Sequence, residues 1–190
     1  METARSSGSR RVCFTPFVCL LTLAISSLTA HATIYFSKEE AFEQAFGEGA
    51  TVEPSPLFLT DEQVAAIEAQ SKVKLDSQLF TFYEGRRNDR VLGYAAIESH
   101  TVRTQAETLL LVLSPNGNLT KTVMLAFHEP PEYQPPTRWL AKMAGKNADD
   151  LVLNYGIDGV SGATLSVRAA LDSARKVLSV FKLAFKPASE

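Results

Sequence analysis

Three hydroxyls and two glycines stand at the mouth of the last amphipathic segment of the chain, in Asp158-Gly-Val-Ser161-Gly162-Ala163-Thr164-Leu-Ser166. Gly162 lets the backbone turn tightly and approach something closely. Beyond it, Val167, Ala170, Leu171, Ala174, Val177, Leu178 and Phe181 recur at three- and four-residue steps, the pattern of a helix with one buried stripe. Thr164 then falls in the first turn, where unpaired amides and the positive dipole end favour an anion. On a helical wheel Thr164, Arg168 and Arg175 share a flank beside the stripe. A phosphate at Thr164 would meet free amides and lie within reach of Arg168, one turn away. Spacing alone leaves a second reading open: a plain helix start, in which Ser161 or Thr164 caps the backbone.

The elements that must position this segment are legible upstream. Ser37-Lys-Glu-Glu40 is a capping box opening a helix through Phe46, ended by Gly47 and Gly49. Pro54 and Pro56 mark a linker. Thr60-Asp-Glu-Gln63 is a second capping box, opening a helix to about Ser71 with Val64, Ile67 and Ala66 inward. Leu79–Glu84 alternates apolar and polar as a strand does, and further strands follow at Val91–Glu98, Glu107–Leu113 and Leu119–Phe127. The turns between them include Gly85–Asp89 and Ser114-Pro-Asn-Gly117. His128–Pro136 holds four prolines and must be irregular; Thr137–Ala144 forms a short helix ended by Gly145. The fold class is α+β: N-terminal helices, a central antiparallel sheet and a long C-terminal helix.

Composition narrows the function. The chain has 190 residues, 45% hydrophobic and 21% charged, with a net charge of −2. That is a globular composition without the basic footprint of a nucleic-acid binder. Only Cys13 and Cys19 are present, so cysteine-ligated iron–sulfur clusters, zinc knuckles and haem attachment are excluded. Arg5, Arg10 and Arg11 precede an uncharged stretch from Val12 to Ala30, which ends in Ala30-His31-Ala32. This reads as a cleavable signal peptide over residues 1–32, with a retained membrane anchor as the alternative. Losing Glu2 and three arginines takes the net charge from −2 to −4. The mature chain would hold no cysteine and rely on its hydrophobic core.

The string Asp158-x-x-Ser161-Gly162-Ala163-Thr164-x-Ser166 resembles the flavinylation motif of FMN-binding domains, D-x-x-[ST]-G-A-T-x-[ST]. Such domains occur in FMN-carrying subunits of Rnf-type and sodium-pumping NADH:quinone oxidoreductase complexes and in standalone exported proteins. Six specified positions coincide by chance in on the order of one chain in ten thousand. The resemblance covers about Leu79 to Leu183, and divides the chain into signal (1–32), N-terminal helical segment (33–75) and FMN-binding domain (76–185). It implies FMN carried covalently through a phosphoester to Thr164, installed outside the cytoplasm by a Mg²⁺-dependent flavin transferase that uses FAD. Asp158 would be read by the transferase or hold the turn, while Ser161 and Gly162 shape the loop. Ala163, Ser166 and Arg168 complete the expected cofactor-binding set. Glu129, in Glu129-Pro130-Pro131, partly matches a flavin-contacting Glu-Thr-Pro-Gly-type segment of the family.

Competing motifs are weaker. Gly159-Val-Ser161-Gly-Ala163 resembles a nucleophile elbow, but a histidine must follow it and His31, His100 and His128 all precede it. His128-Glu129 is followed by two prolines and cannot form the helix of a zinc H-E-x-x-H site, so no metal is expected. Asn118-Leu-Thr120 is a glycosylation sequon, relevant only in a secretory eukaryote. Tyr133, Trp139 and Tyr155 are candidates to stack on a flavin ring, each weighed against a place in the core. Two functions remain: a periplasmic electron carrier serving a membrane or periplasmic redox partner, or a flavin-dependent reductase of a small substrate. The carrier is favoured, because one small domain leaves little chain for a substrate pocket.

Overall fold

The computed structural model describes residues 33–185. The signal-peptide reading, with Cys13, Cys19 and His31, lies outside the described residues. A two-residue strand β1 (Thr33–Ile34) leads through α1 (Lys38–Phe46) to β2 (Thr51–Phe58) and α2 (Asp61–Ser71). Strands β3 (Leu79–Arg87), β4 (Arg90–Thr101), β5 (Ala106–Leu113) and β6 (Leu119–Phe127) follow as a meander. Short helical turns, among them α3 (Thr137–Leu140), connect β6 to α4 (Thr164–Ala184). All six strands join one antiparallel sheet in the order β1-β6-β5-β4-β3-β2. The class is α+β.

Local chemistry explains the ends of these elements. Ser37 and Thr60 form both expected capping boxes, each reciprocated by Glu40 and Gln63. The turn after β3 is shorter than Gly85–Asp89: the strand runs on to Arg87, and only Asn88 and Asp89 turn, both with positive φ. Two left-handed residues make the tight hairpin whose twist matches the flanking strands. Thr137–Ala144 splits into four residues of α3 and a 3₁₀ turn over Ala141–Met143, ending at Gly145 with φ +76°.

The segment read as a linker at Pro54 and Pro56 is instead strand β2, paired with β3 through Pro54↔Tyr83 and Pro56↔Thr81. Proline lacks the amide that a central strand must donate, but β2 is an edge. Residues two apart turn their nitrogens the same way, and here that way is outward, away from the ladder. The N-terminal residues therefore extend the same sheet.

The sheet is covered on both faces. On one, Phe82, Leu109, Leu111 and Met124 pack with Val167, Ala170, Leu171, Ala174 and Val177 of α4 and with Ile67 of α2. On the other, Ala41 and Phe46 of α1 cover Ala95, Leu110, Val112 and Leu125. This two-sided burial explains the unbroken apolar run Leu109–Leu113, since a central strand needs no polar face. Each fully buried Leu stabilises the fold by roughly 1.5–3 kcal/mol. The expected α4 stripe is buried throughout except for half-buried Leu178. Ala66, expected inward, is exposed: α2 touches its neighbours along Val64, Ile67 and Ser71, and Ala66 lies about 100° around from Ile67.

Candidate functional site

The approach to α4 is a loop held by its backbone. Leu153 and Ile157 form an isolated bridge, and a Cβ added to Gly156 would lie 1.9 Å from the Asp150 carbonyl oxygen. The buried indole of Trp139 donates to the Asp158 carbonyl at 2.6 Å. The loop is therefore fixed at Asp158 by a main-chain contact, with the Asp158 and Ser161 side chains exposed. Gly162 follows with φ +85°, a conformation that costs a side-chain-bearing residue about 1–2 kcal/mol.

The start of α4 decides between the two readings of its hydroxyls. Its N-cap is Ala163, and no side chain caps it, so neither Ser161 nor Thr164 serves as the cap. Val167 N–H is the first to bond back into the helix, to Ala163 at 2.9 Å. Helix geometry leaves the amides of Thr164, Leu165 and Ser166 without intrahelical acceptors, and the first turn carries no acidic residue. Thr164 is exposed, whereas Ser166 is 1% exposed and its Oγ is buried with no hydrogen-bond partner. An unpaired buried hydroxyl costs about 1–3 kcal/mol. Beside uncapped amides, it is a donor awaiting an acceptor.

These groups line a hollow of about 170 Å³ together with Gly162, Ala163, Tyr133 and Arg103. Arg103 and Tyr133 come from distant parts of the chain. The Arg103 guanidinium carbon lies over the Tyr133 ring, 5.0 Å from its centre, a cation–π contact. Of the three aromatic candidates, Tyr133 is at the site, Trp139 is buried in the core and Tyr155 is 88% exposed. Sequence reasoning missed Arg103. The only local signal was an arginine in the polar Thr101–Gln105 connection.

Glu129 lies beneath that connection. Its Oε1 accepts from the amides of Arg103 (3.1 Å), Thr104 (2.7 Å) and Gln105 (2.9 Å). The amides of Thr104 and then Gln105 hold its carboxyl below the ordinary glutamate value, against the opposing effect of burial. The structure thus brings Glu129 to the site through the turn that carries Arg103. Arg168 lines a different hollow, with Leu153, Asp172 and Arg175, and Arg175 pairs with Asp172. Larger hollows lie elsewhere, among them one along β6 and one beside the end of α4, each of about 550 Å³. Among the described residues no group of three or more His, Cys, Asp or Glu is placed to hold a metal ion.

The donor set around Thr164 (free amides, the orphaned Ser166 hydroxyl and one guanidinium) fits the phosphate of a flavin mononucleotide. The hollow is small beside the roughly 300–1,000 Å³ of ligand pockets that enclose a whole molecule, so it suits the phosphate end and not the ring system. No curated protein matches the chain. Residues 104–179 match the model of a family described as the FMN-binding domain, a span from β5 through most of α4. Over this span the chain is similar to the FMN-binding domain family, and the match supports a flavin-binding protein.

Proposed function

We propose that the protein is an exported electron-transfer flavoprotein that carries FMN through a phosphoester to Thr164. The observation that carries this reading is the exposed Thr164 hydroxyl at an uncapped helix start, beside the buried, unpartnered Oγ of Ser166. The Thr164 oxygen attacks the flavin-side phosphorus of FAD. The pyrophosphate bond breaks, AMP leaves and the hydroxyl proton is released, with no change of oxidation state. A flavin transferase with Mg²⁺ supplies the catalysis, and the exposed carboxylate of Asp158 faces it on a loop that Trp139 keeps fixed. Once attached, the phosphodiester lies against the first-turn amides and Ser166, where the helix dipole favours its single negative charge.

A tether also suits the size of the hollow. A site that encloses only the phosphate end offers too little burial to retain a cofactor by contact alone. Bound flavin supplies two-electron uptake with release singly or in pairs. The shallow hollow supports the carrier reading over a reductase, which needs an enclosed pocket beside the ring. The signal-peptide pattern of residues 1–32 supports a periplasmic carrier that serves a membrane or periplasmic redox partner.

The test is co-expression with a flavin transferase, followed by intact-mass measurement and fluorescence in a denaturing gel. The expected product gains one FMN less one water and fluoresces after denaturation. A chain of unmodified polypeptide mass overturns the proposal.

A further inference from the structure

We propose that Arg103 is the cation that neutralises the phosphodiester on Thr164, and that Glu129 is the positioning residue that sets it there. This rests on the reading of Thr164 as the attachment point. Among the described residues that line the hollow, Arg103 supplies the one full positive charge. The other donors are amides and the Ser166 hydroxyl, which are neutral. Among the described residues its guanidinium makes no ion pair, so its donors remain available to an anion.

Its placement is built from two directions. The β4–β5 turn closes through Val102 N–H to Gln105 O at 3.0 Å. Three consecutive amides of that turn converge on one oxygen of Glu129, which the Thr104 hydroxyl also approaches at 3.4 Å. Such convergence of main-chain donors on a carboxylate fixes the turn as rigidly as a bound anion would. The same stretch that supplies Glu129 continues four residues to Tyr133, turning through Tyr133 N–H to Pro130 O at 2.9 Å. The Tyr133 ring then holds the guanidinium 5.0 Å from its centre, and a guanidinium so held can form paired hydrogen bonds with phosphate oxygens. Because its charge is spent on main-chain amides, Glu129 does not form an ion pair with the arginine it positions. Arg103 precedes the matched family segment by one residue, so the match itself assigns it nothing.

The experiment compares wild type with Arg103→Ala, Arg103→Lys, Glu129→Gln and Arg168→Ala after incubation with flavin transferase and FAD. Two quantities are read: the initial rate of mass gain, and the ³¹P chemical shift of the attached phosphodiester in folded and in denatured protein. Arg103 is exposed, so its replacement leaves the core intact, and a thermal melt checks this. In Arg103→Ala the rate is expected to fall about tenfold, the worth of one charge-assisted contact, and the folded ³¹P resonance moves toward its denatured position. Arg103→Lys restores part of both, because the charge returns without the paired geometry. Glu129→Gln moves the resonance in the same direction as Arg103→Ala with Arg103 still present. If Arg103→Ala changes neither quantity, or Arg168→Ala moves the resonance instead, the assignment to Arg103 is overturned. Should the wild type gain no mass at all, the attachment itself fails.

Discussion

The indole N–H of Trp139 donates to the main-chain carbonyl of Asp158 at 2.6 Å, and this bond joins α3 to the loop that delivers Thr164. Trp139 is 3% exposed, so the bond is shielded from water and its loss leaves a carbonyl unsatisfied. Trp139→Phe is expected to lower stability by about 1–3 kcal/mol and to slow flavin attachment while Thr164 stays intact. Denaturant unfolding and a time course of intact mass measure the two effects. A variant with wild-type attachment kinetics would show that the loop does not depend on this bond.

Thr164 contributes its hydroxyl and little to the fold. It is exposed and does not cap α4, so Thr164→Ala should change stability by no more than about 0.5 kcal/mol and abolish gel fluorescence. Thr164→Ser keeps a hydroxyl in the same turn and should remain labelled. Persistent fluorescence in the alanine variant would move the attachment to another side chain.

Gly162 is needed for its backbone angle, since a Cβ there would meet only the Glu132 carbonyl oxygen at an ordinary 3.7 Å. Gly162→Ala should destabilise by about 1–2 kcal/mol through the left-handed conformation alone. Gly162→Asn should cost less, because asparagine tolerates that region better. Equal melting temperatures for the two variants would contradict this account.

A buried network beside α4 sets a pH dependence. Glu107 is fully buried and shares Oε1 with His100 Nε2 at 2.9 Å, while its Oε2 has no partner. His100 Nδ1 lies 3.1 Å from the Ser173 hydroxyl of α4, and Lys176 of the same helix pairs with buried Glu98. Burial pushes both carboxyls above the ordinary value of 4.5, opposed by His100 at Glu107 and chiefly by Lys176 at Glu98. Between that value and the raised one, the folded chain keeps a proton that the unfolded chain has released. Stability therefore falls as pH rises through this window. Glu107→Gln keeps an acceptor for His100 and removes the charge. It should flatten the decline and raise stability at pH 7 by about 1 kcal/mol. Unfolding free energies from pH 4 to 8 test this; an unchanged slope excludes Glu107 as its source.

What could be read along the chain was whatever local chemistry determines. Both capping boxes, the strand β6 over Leu119–Phe127 and the buried stripe of α4 need only spacing and residue type. β2 was hidden because proline argues against a strand unless the strand is an edge, and edge position is a property of the whole sheet. Arg103 was hidden for a similar reason: its place is set by Glu129, 26 residues further on. The wheel placed Arg168 correctly on its helix and one turn from Thr164. It could not show that the packing of residues 151–153 gives Arg168 a different hollow.

The two margins of the sheet differ in what they offer a neighbour. On the β2 side, Pro54 and Pro56 remove donors from the outward row, which hinders any added chain. On the β6 side, among the described residues, β1 pairs with Phe127 and Ala126, and the amides of Tyr35 and Phe36 add bonds to Leu125 O at 2.8 and 3.4 Å. Lateral growth of the sheet is therefore blunted at the β2 margin by missing donors, and at the β6 margin by β1 and by α3 and the Ala141–Met143 turn packed beside β6. A second molecule arriving edge-on would meet a different obstacle on each side.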